Sequence, residues 1–157
     1  WRANDCDARF LHTASMVKSW TAVVMGILID KGIIKSVDEK VCTYLPEWQD
    51  ACRKDVTIKH LLSMTAGFNR RGGSTGILAQ PNTHQYIYAS QLDTLPGIRF
   101  GYSNECFQAL GMIMEKATGL SVHDVFDKEL FKPLRMDSTQ LATDGAGHGI
   151  VHQAAEL

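Results

Sequence analysis

A mainly α-helical chain is what this sequence predicts, and three observations predict it. A strongly apolar stretch, Val17 to Ile29, follows Thr13-Ala14-Ser15 and is closed by Gly32. Two further amphipathic stretches, Ile58–Met64 and Glu105–Thr118, run up to Gly67 and Gly119, the residue type that most readily takes the left-handed conformation just past a helix. Two tetrapeptides, Ser36-Val37-Asp38-Glu39 and Ser121-Val122-His123-Asp124, carry the hydroxyl-to-carboxylate spacing of a capping box, the second more weakly because aspartate replaces glutamate.

In chain order, Phe10-Leu11-His12-Thr13 reads as a short strand entering the first helix, with Thr13 as its N-cap and Ser15 in its first turn. Apolar residues from Val17 to Ile29 fall on nearly every helical face, which predicts burial on most sides and therefore a larger fold around this helix. The first capping box predicts a short helix that ends near Tyr44-Leu45-Pro46. Ile58, Leu61 and Leu62 form one stripe of the next helix, for which Gly67 is the expected terminator. Phe68 to Thr83 is a long glycine-containing loop without periodicity, a kind that is usually functional or mobile. His84–Leu92 is a short helix, Leu95-Pro96-Gly97 a turn, and Ile98–Asn104 an extended piece. Glu105–Thr118 places Phe107, Leu110 and Met114 on one side. Val122, Val125, Phe126, Leu130, Phe131 and Leu134 then continue an apolar face around Pro133, and from Asp137 to Gly149 turn residues dominate.

The bulk numbers exclude whole classes of function. In 157 residues, 45% hydrophobic and 21% charged, there is enough for one globular domain or part of a larger one. A net charge of −1, with Arg70-Arg71 as the densest basic pair, argues against a nucleic-acid partner. The longest apolar run, Ala22–Ile29, is far short of the roughly 20 residues of a transmembrane helix. Because the chain starts at Trp1 without a leader pattern and ends at Ala154-Ala155-Glu156-Leu157, it is expected to be a piece of a longer protein. Cys6, Cys42, Cys52 and Cys106 are scattered and could pair in three ways; separately buried thiols are the simpler expectation.

Chemistry concentrates in two short motifs. Ser15-Met16-Val17-Lys18 sets a hydroxyl and an amine three residues apart on one helical face, one way to build an activated nucleophile. Tyr102-Ser103-Asn104 stands on a short loop at the mouth of another helix. Either motif alone is weak, and their joint occurrence in these contexts is what carries weight. Gly72-Gly73-Ser74-Thr75-Gly76 matches the nucleophile elbow formally, but Asn69-Arg70-Arg71 stands where that turn needs an apolar strand, so a loop is expected. His148 and His152 have the i, i+4 spacing of a zinc helix, with Glu156 four further on. They lack the glutamate after the first histidine, and Gly145, Gly147 and Gly149 disfavour a helix, so no metal or other cofactor is expected. Met16, Trp20 and Met25 read as core packing.

Longer stretches sharpen the picture. Thr13-Ala14-Ser15-Met16-Val17-Lys18, Tyr44-Leu45-Pro46-Glu47 and Val56–Gly67, followed by Pro96–Asn104 and Leu130–Met136, resemble the serine β-lactamase/penicillin-binding-protein-like superfamily. The resemblance is to its branch of class C β-lactamases, DD-peptidases and family VIII esterases, and covers roughly residues 10 to 140. It implies a partial chain of that α/β plus all-α fold: an edge-strand region at 1–14, the active-site helix and helical subdomain at 15–140, and at 141–157 a truncated return towards the α/β part, most of whose sheet is missing.

The resemblance also implies roles. Ser15 is the acylated nucleophile, Lys18 its neighbouring amine, Tyr102 the general base and later acid, and Asn104 a hydrogen-bonding partner of substrate or Lys18. Whether Lys18 acts neutral, or stays cationic and favours a Tyr102 phenolate, is left open by the sequence. The substrate is a small molecule holding a β-lactam, D-Ala peptide, ester or amide bond, and the compartment is periplasmic or secreted. The superfamily's third motif, Lys or His, then Thr or Ser, then Gly, supplies an oxyanion-hole strand, and nothing in Gly145–Leu157 fills it. The chain alone is therefore expected to be inactive. Rival readings are a non-catalytic sensor or scaffold on the same fold, and an independent helical interaction module.

Overall fold

The computed structural model describes residues 12–48, 53–68, 76–152 and 155–156. The described residues are mainly helical: α1 (Val17–Asp30), α2 (Ile58–Leu62), α3 (Thr83–Ala89), α4 (Asn104–Thr118) and α5 (Val122–Phe126), the last continued by a π-helical turn over Asp127–Phe131. Among them the only sheet is a two-residue antiparallel ladder, β1 (Gln140–Leu141) against β2 (Ala155–Glu156). This is the helical part of the expected fold with almost none of its sheet.

The helix buried on nearly all sides is α4, not α1. Every residue from Asn104 to Met114 is buried, and α1, α2, α3 and α5 all pack against this helix. Helix α1 instead buries one stripe, Val17, Lys18, Thr21, Val24, Met25 and Leu28, while Val23 stays half exposed. That stripe follows the i, i+4, i+7, i+11 spacing of an ordinary amphipathic helix. Hydrophobicity on the other faces of α1 misled the expectation, because apolar side chains are common on protein surfaces. Around α4 the core gathers Trp48, Phe68, Leu110 and Phe126, with edge-to-face ring pairs between Trp48 and Phe68 and between Phe126 and Phe131.

Local signals worked where their hydrogen bonds were free to form. Thr57, Asn82, Ser103 and Ser121 each cap their helix by accepting a backbone N–H, and Gly119 closes α4 in the left-handed region. Ser36-Val37-Asp38-Glu39 does not start a helix. Ser36 Oγ accepts from Asp38 N, and the Glu39 carboxylate is occupied by Lys35 N and the Tyr44 hydroxyl, so the segment closes as a turn. A bridge between Lys40 and Thr57 follows, and only a 3₁₀ turn, Val41–Thr43, stands where the helix was expected.

Gly67 is likewise no helix terminator. Helix α2 ends at Leu62 with Ser63 as its C-cap, and Gly67 is required instead by its φ of +90° and by the Thr94 carbonyl oxygen, which would lie 2.3 Å from a Cβ there. Gly72–Thr75 of the elbow-like motif and Phe10-Leu11 of the expected strand ahead of Ser15 lie outside the described residues, as do Cys6 and Cys52. Cys106 is buried, whereas Cys42 is only half buried, correcting the expectation for it.

The return segment from Thr139 onwards is pinned to the helices by Asp144. Its carboxylate, 1% exposed, accepts from Thr83 N at 2.7 Å, Thr83 Oγ1 at 2.9 Å, Ala146 N at 2.9 Å, His148 N at 2.9 Å and His148 Nδ1 at 3.0 Å. Burial alone would raise this carboxyl, but the donors outweigh it and hold it well below the usual carboxylate range. Its stabilising contribution is therefore present above the ordinary carboxylate pKa and is lost only in strong acid. Asp144→Asn puts an amide donor among donors and is expected to lower stability by about 2 kcal/mol at neutral pH, read from urea midpoints. An unchanged midpoint would show that the cluster is structurally idle.

Candidate active site

Ser15 lies in a 3₁₀ turn, Ala14–Met16, immediately before α1 rather than in the first α-helical turn. Thr13 is the N-cap residue of that turn, but its side chain makes no capping bond. Lys18 is the second residue of α1, three positions on, and its amine reaches back to Ser15. Ala14 has φ +48°, a left-handed conformation costing roughly 1–2 kcal/mol for a residue with a Cβ. The strained residue stands directly beside Ser15, as strained residues often do at functional sites.

Tyr102 and Asn104 arrive on a loop laced to the turn after α2. Gly97 N–H donates to Thr65 O at 2.8 Å and Gly101 N–H to Met64 O at 3.0 Å. Ser103 N–H reaches Met64 Sδ at 3.5 Å, and Ser103 Oγ caps α4 by accepting Cys106 N–H at 3.2 Å. Asn104 is thus the first residue of a rigid, buried helix, and Tyr102 stands two residues ahead of it. The Leu95-Pro96-Gly97 turn and the Ser103 cap of α4 are what aim both side chains.

The four residues singled out in the sequence converge. Lys18, only 6% exposed, donates from Nζ to Asn104 Oδ1 at 2.8 Å, to Ser15 Oγ at 3.3 Å, and to the His152 carbonyl. Tyr102 Oη and Ser15 Oγ are 2.6 Å apart, two hydroxyls whose donor and acceptor roles exchange with protonation. The Lys18 ammonium also lies over two aromatic rings, 4.9 Å from the Tyr102 centroid and 5.7 Å from that of Phe107.

These contacts push two proton affinities towards each other. Burial lowers the Lys18 amine from its ordinary value, against the opposing pull of Tyr102 and Glu105. Burial would raise the Tyr102 phenol, but hydrogen bonds from Lys18 and Ser15 and the charge of Lys18 outweigh it, so the phenol lies below its ordinary value. A less basic amine beside a more acidic phenol can trade one proton over a short distance, and both touch the Ser15 hydroxyl.

Three participants went unnoticed in the sequence. They are the carbonyl of His152, Thr21, whose Oγ1 donates to Val151 O at 2.8 Å, and Gln108, which holds the same segment from α4. A polar Gln108 four residues beyond Asn104 in an apolar helix was the available signal. The zinc-like pair does not assemble: His148 stacks on His84 at 3.7 Å between centroids and pairs with Asp144, whereas the His152 ring is buried against Gln108. Among the described residues no three His, Cys, Asp or Glu side chains group to hold a metal ion, and no helix is long and apolar enough to cross a membrane.

Comparison with known proteins bears on the same region. A family model described as Beta-lactamase matches residues 4–156. The chain is 28% identical over 125 residues to a beta-lactamase of Yersinia enterocolitica, covering 80% of this chain and 32% of that protein. It is 30% identical over 139 residues to penicillin-binding protein 4* of Bacillus subtilis (strain 168), covering 82% of this chain and 30% of that one. Among solved structures, the beta-lactamase/D-alanine carboxypeptidase from Yersinia pestis superposes with a TM-score of 0.75 at 20% identity, covering 98% of this chain and 52% of the other. A putative 6-aminohexanoate-dimer hydrolase from Bacillus anthracis superposes with a TM-score of 0.78 at 15% identity, covering 99% and 46%. The chain therefore spans about a third of the length of these curated relatives and about half of these solved structures.

Proposed function

The chain belongs to the beta-lactamase family, and on that premise we propose that it carries the nucleophile half of a serine hydrolase that works through an acyl-enzyme on Ser15. The observation that carries this reading is the convergence of Ser15 Oγ, Lys18 Nζ, Tyr102 Oη and Asn104 Oδ1, brought together from positions 86 and 87 residues apart. In this reading Ser15 Oγ attacks the carbonyl carbon of a β-lactam, D-Ala peptide, ester or amide. Its proton passes to Tyr102, made more acidic by Lys18. The C–N or C–O bond then breaks and the leaving group takes the proton from Tyr102. Water, deprotonated by the same phenolate, attacks the acyl carbon, and Tyr102 passes that proton to Ser15 Oγ as the acid product leaves. Asn104 orients the Lys18 amine throughout.

The resemblance implies a second oxyanion donor on a strand that carries a Lys/His-Thr/Ser-Gly triplet, and no such triplet occurs in Gly145–Leu157. Losing one oxyanion donor typically costs 10²–10³-fold, so turnover is expected of the full-length protein and not of these residues alone. The test is to incubate the full-length protein with a chromogenic cephalosporin and with a short-chain nitrophenyl ester, then to locate the adduct by peptide mass. An acyl group on Ser15 supports the reading, and the faster substrate assigns the class. Turnover with the acyl group on another residue sinks it. No turnover and no adduct with either would favour the non-catalytic sensor.

A further inference from the structure

Gln108 is a fully buried amide on an otherwise apolar stretch of α4, and such a group is costly there unless every hydrogen bond is met. Its partners all lie on one segment. Nε2 donates to Gly149 O at 2.9 Å, while Oε1 accepts from Val151 N at 3.3 Å and from His152 Nδ1 at 2.9 Å. Because an amide oxygen only accepts, the His152 proton is on Nδ1, and burial followed by the charge of Lys18 pushes that ring down to about 3, keeping it neutral. Two close approaches seat the segment directly on helices. A Cβ on Gly111 would lie 2.7 Å from Val151 Cγ2, and one on Gly149 would lie 2.3 Å from Val122 Cγ1. From the other side Thr21 on α1 donates to Val151 O at 2.8 Å. The segment so clamped presents the His152 carbonyl to Lys18 Nζ.

Resting on the reading of Lys18 as the amine of a serine hydrolase, we propose that Gln108 is a positioning residue, clamping Gly149–His152 onto α4 so that the His152 carbonyl aims the Lys18 amine at Ser15. A neutral amine has two N–H bonds and one lone pair. With Asn104 Oδ1 and the His152 carbonyl taking the two hydrogens, the lone pair is left facing Ser15 Oγ, 3.3 Å away. As an ammonium the same nitrogen has three hydrogens to share among those three oxygens and the Tyr102 hydroxyl. The shell therefore accommodates both protonation states without rearrangement, provided the carbonyl stays in place. The other groups facing Lys18 are Tyr102, Glu105, the neutral His152 ring and the Phe107 face.

The experiment follows labelling of Ser15 by an alkyl fluorophosphonate across pH, using the full-length protein and its Gln108→Leu, Gln108→Glu and Thr21→Val variants. Gln108→Leu frees the carbonyl, so labelling should slow by roughly 10–100-fold. Its pH profile should move to lower pH because the ammonium has lost an acceptor. Gln108→Glu loses the bond to Gly149 O but retains both acceptor roles, to Val151 N and His152 Nδ1, and adds a buried carboxylate, so it should slow less and move the profile to higher pH. Thr21→Val, which removes only the second anchor, should move in the direction of the leucine variant by a smaller amount and carries the test if Gln108→Leu does not fold. A purely structural Gln108 would change only the fraction of labelled protein. Wild-type profiles in all folded variants, or displacements of one sign in the leucine and glutamate variants, overturn the proposal. Failure of the wild-type protein to label at Ser15 overturns the serine-hydrolase reading itself, and the proposal with it.

Discussion

Ser15→Ala in the full-length protein is expected to cut turnover of its substrate by about 10⁴–10⁶-fold, the scale of removing a covalent nucleophile from a site whose members act as a unit. The alanine variant leaves no oxygen for Tyr102 to deprotonate, and the alternative oxygen, water, has to be ordered from bulk in the same place. Binding should survive, because the variant removes one oxygen from a half-buried residue and leaves Lys18 held by Asn104 and the His152 carbonyl. The expected split is therefore a collapsed kcat with a KM or inhibitor affinity changed by a few-fold at most. The unfolding midpoint should move little, since only the contacts of one hydroxyl are lost. A variant that still turned over within 100-fold of wild type would place the nucleophile elsewhere in the protein.

How much of this could be read beforehand divides along physical lines. Local signals were legible where one residue satisfies its own neighbourhood, as with Ser121 and Gly119. They failed where another partner competed: Glu39 is held by nearby Lys35 and Tyr44, and Gly67 answers to distant Thr94 rather than to α2. The burial of α1 was overestimated because hydrophobicity reports what can be buried, whereas α4 acquires its all-round burial from its neighbours. The motif residues Ser15, Lys18, Tyr102 and Asn104 were legible because their spacing is fixed by two helix starts. The His152 carbonyl was not, since a backbone oxygen has no letter of its own and its place depends on Gln108, Thr21 and two close glycine contacts.

Lys18→Met separates what this amine does for chemistry from what it does for the fold. A lysine whose amine is held below its ordinary pKa by burial opposes folding at every pH below that ordinary value, because the folded state penalises the charged form that the unfolded chain keeps. Replacing it by an apolar side chain of similar length removes that penalty but also takes the Lys18 donor away from Asn104 Oδ1 and the His152 carbonyl. The two effects oppose, so the unfolding free energy at neutral pH should change by no more than about 2 kcal/mol. Catalysis should fall by roughly 10²–10⁴-fold. Tyr102 loses its hydrogen bond from Lys18 and the adjacent positive charge, while the burial that raises its phenol remains. Its pKa therefore climbs, and the rising limb of the acylation rate, which follows the phenolate, moves to higher pH. Lys18→Arg keeps a positive charge but cannot act as a neutral amine, so it should retain more of the Tyr102 effect than methionine does. If Lys18→Met slowed acylation with the limb unmoved, Tyr102 would not be the group whose proton affinity Lys18 controls, and the amine itself would have to take the Ser15 proton.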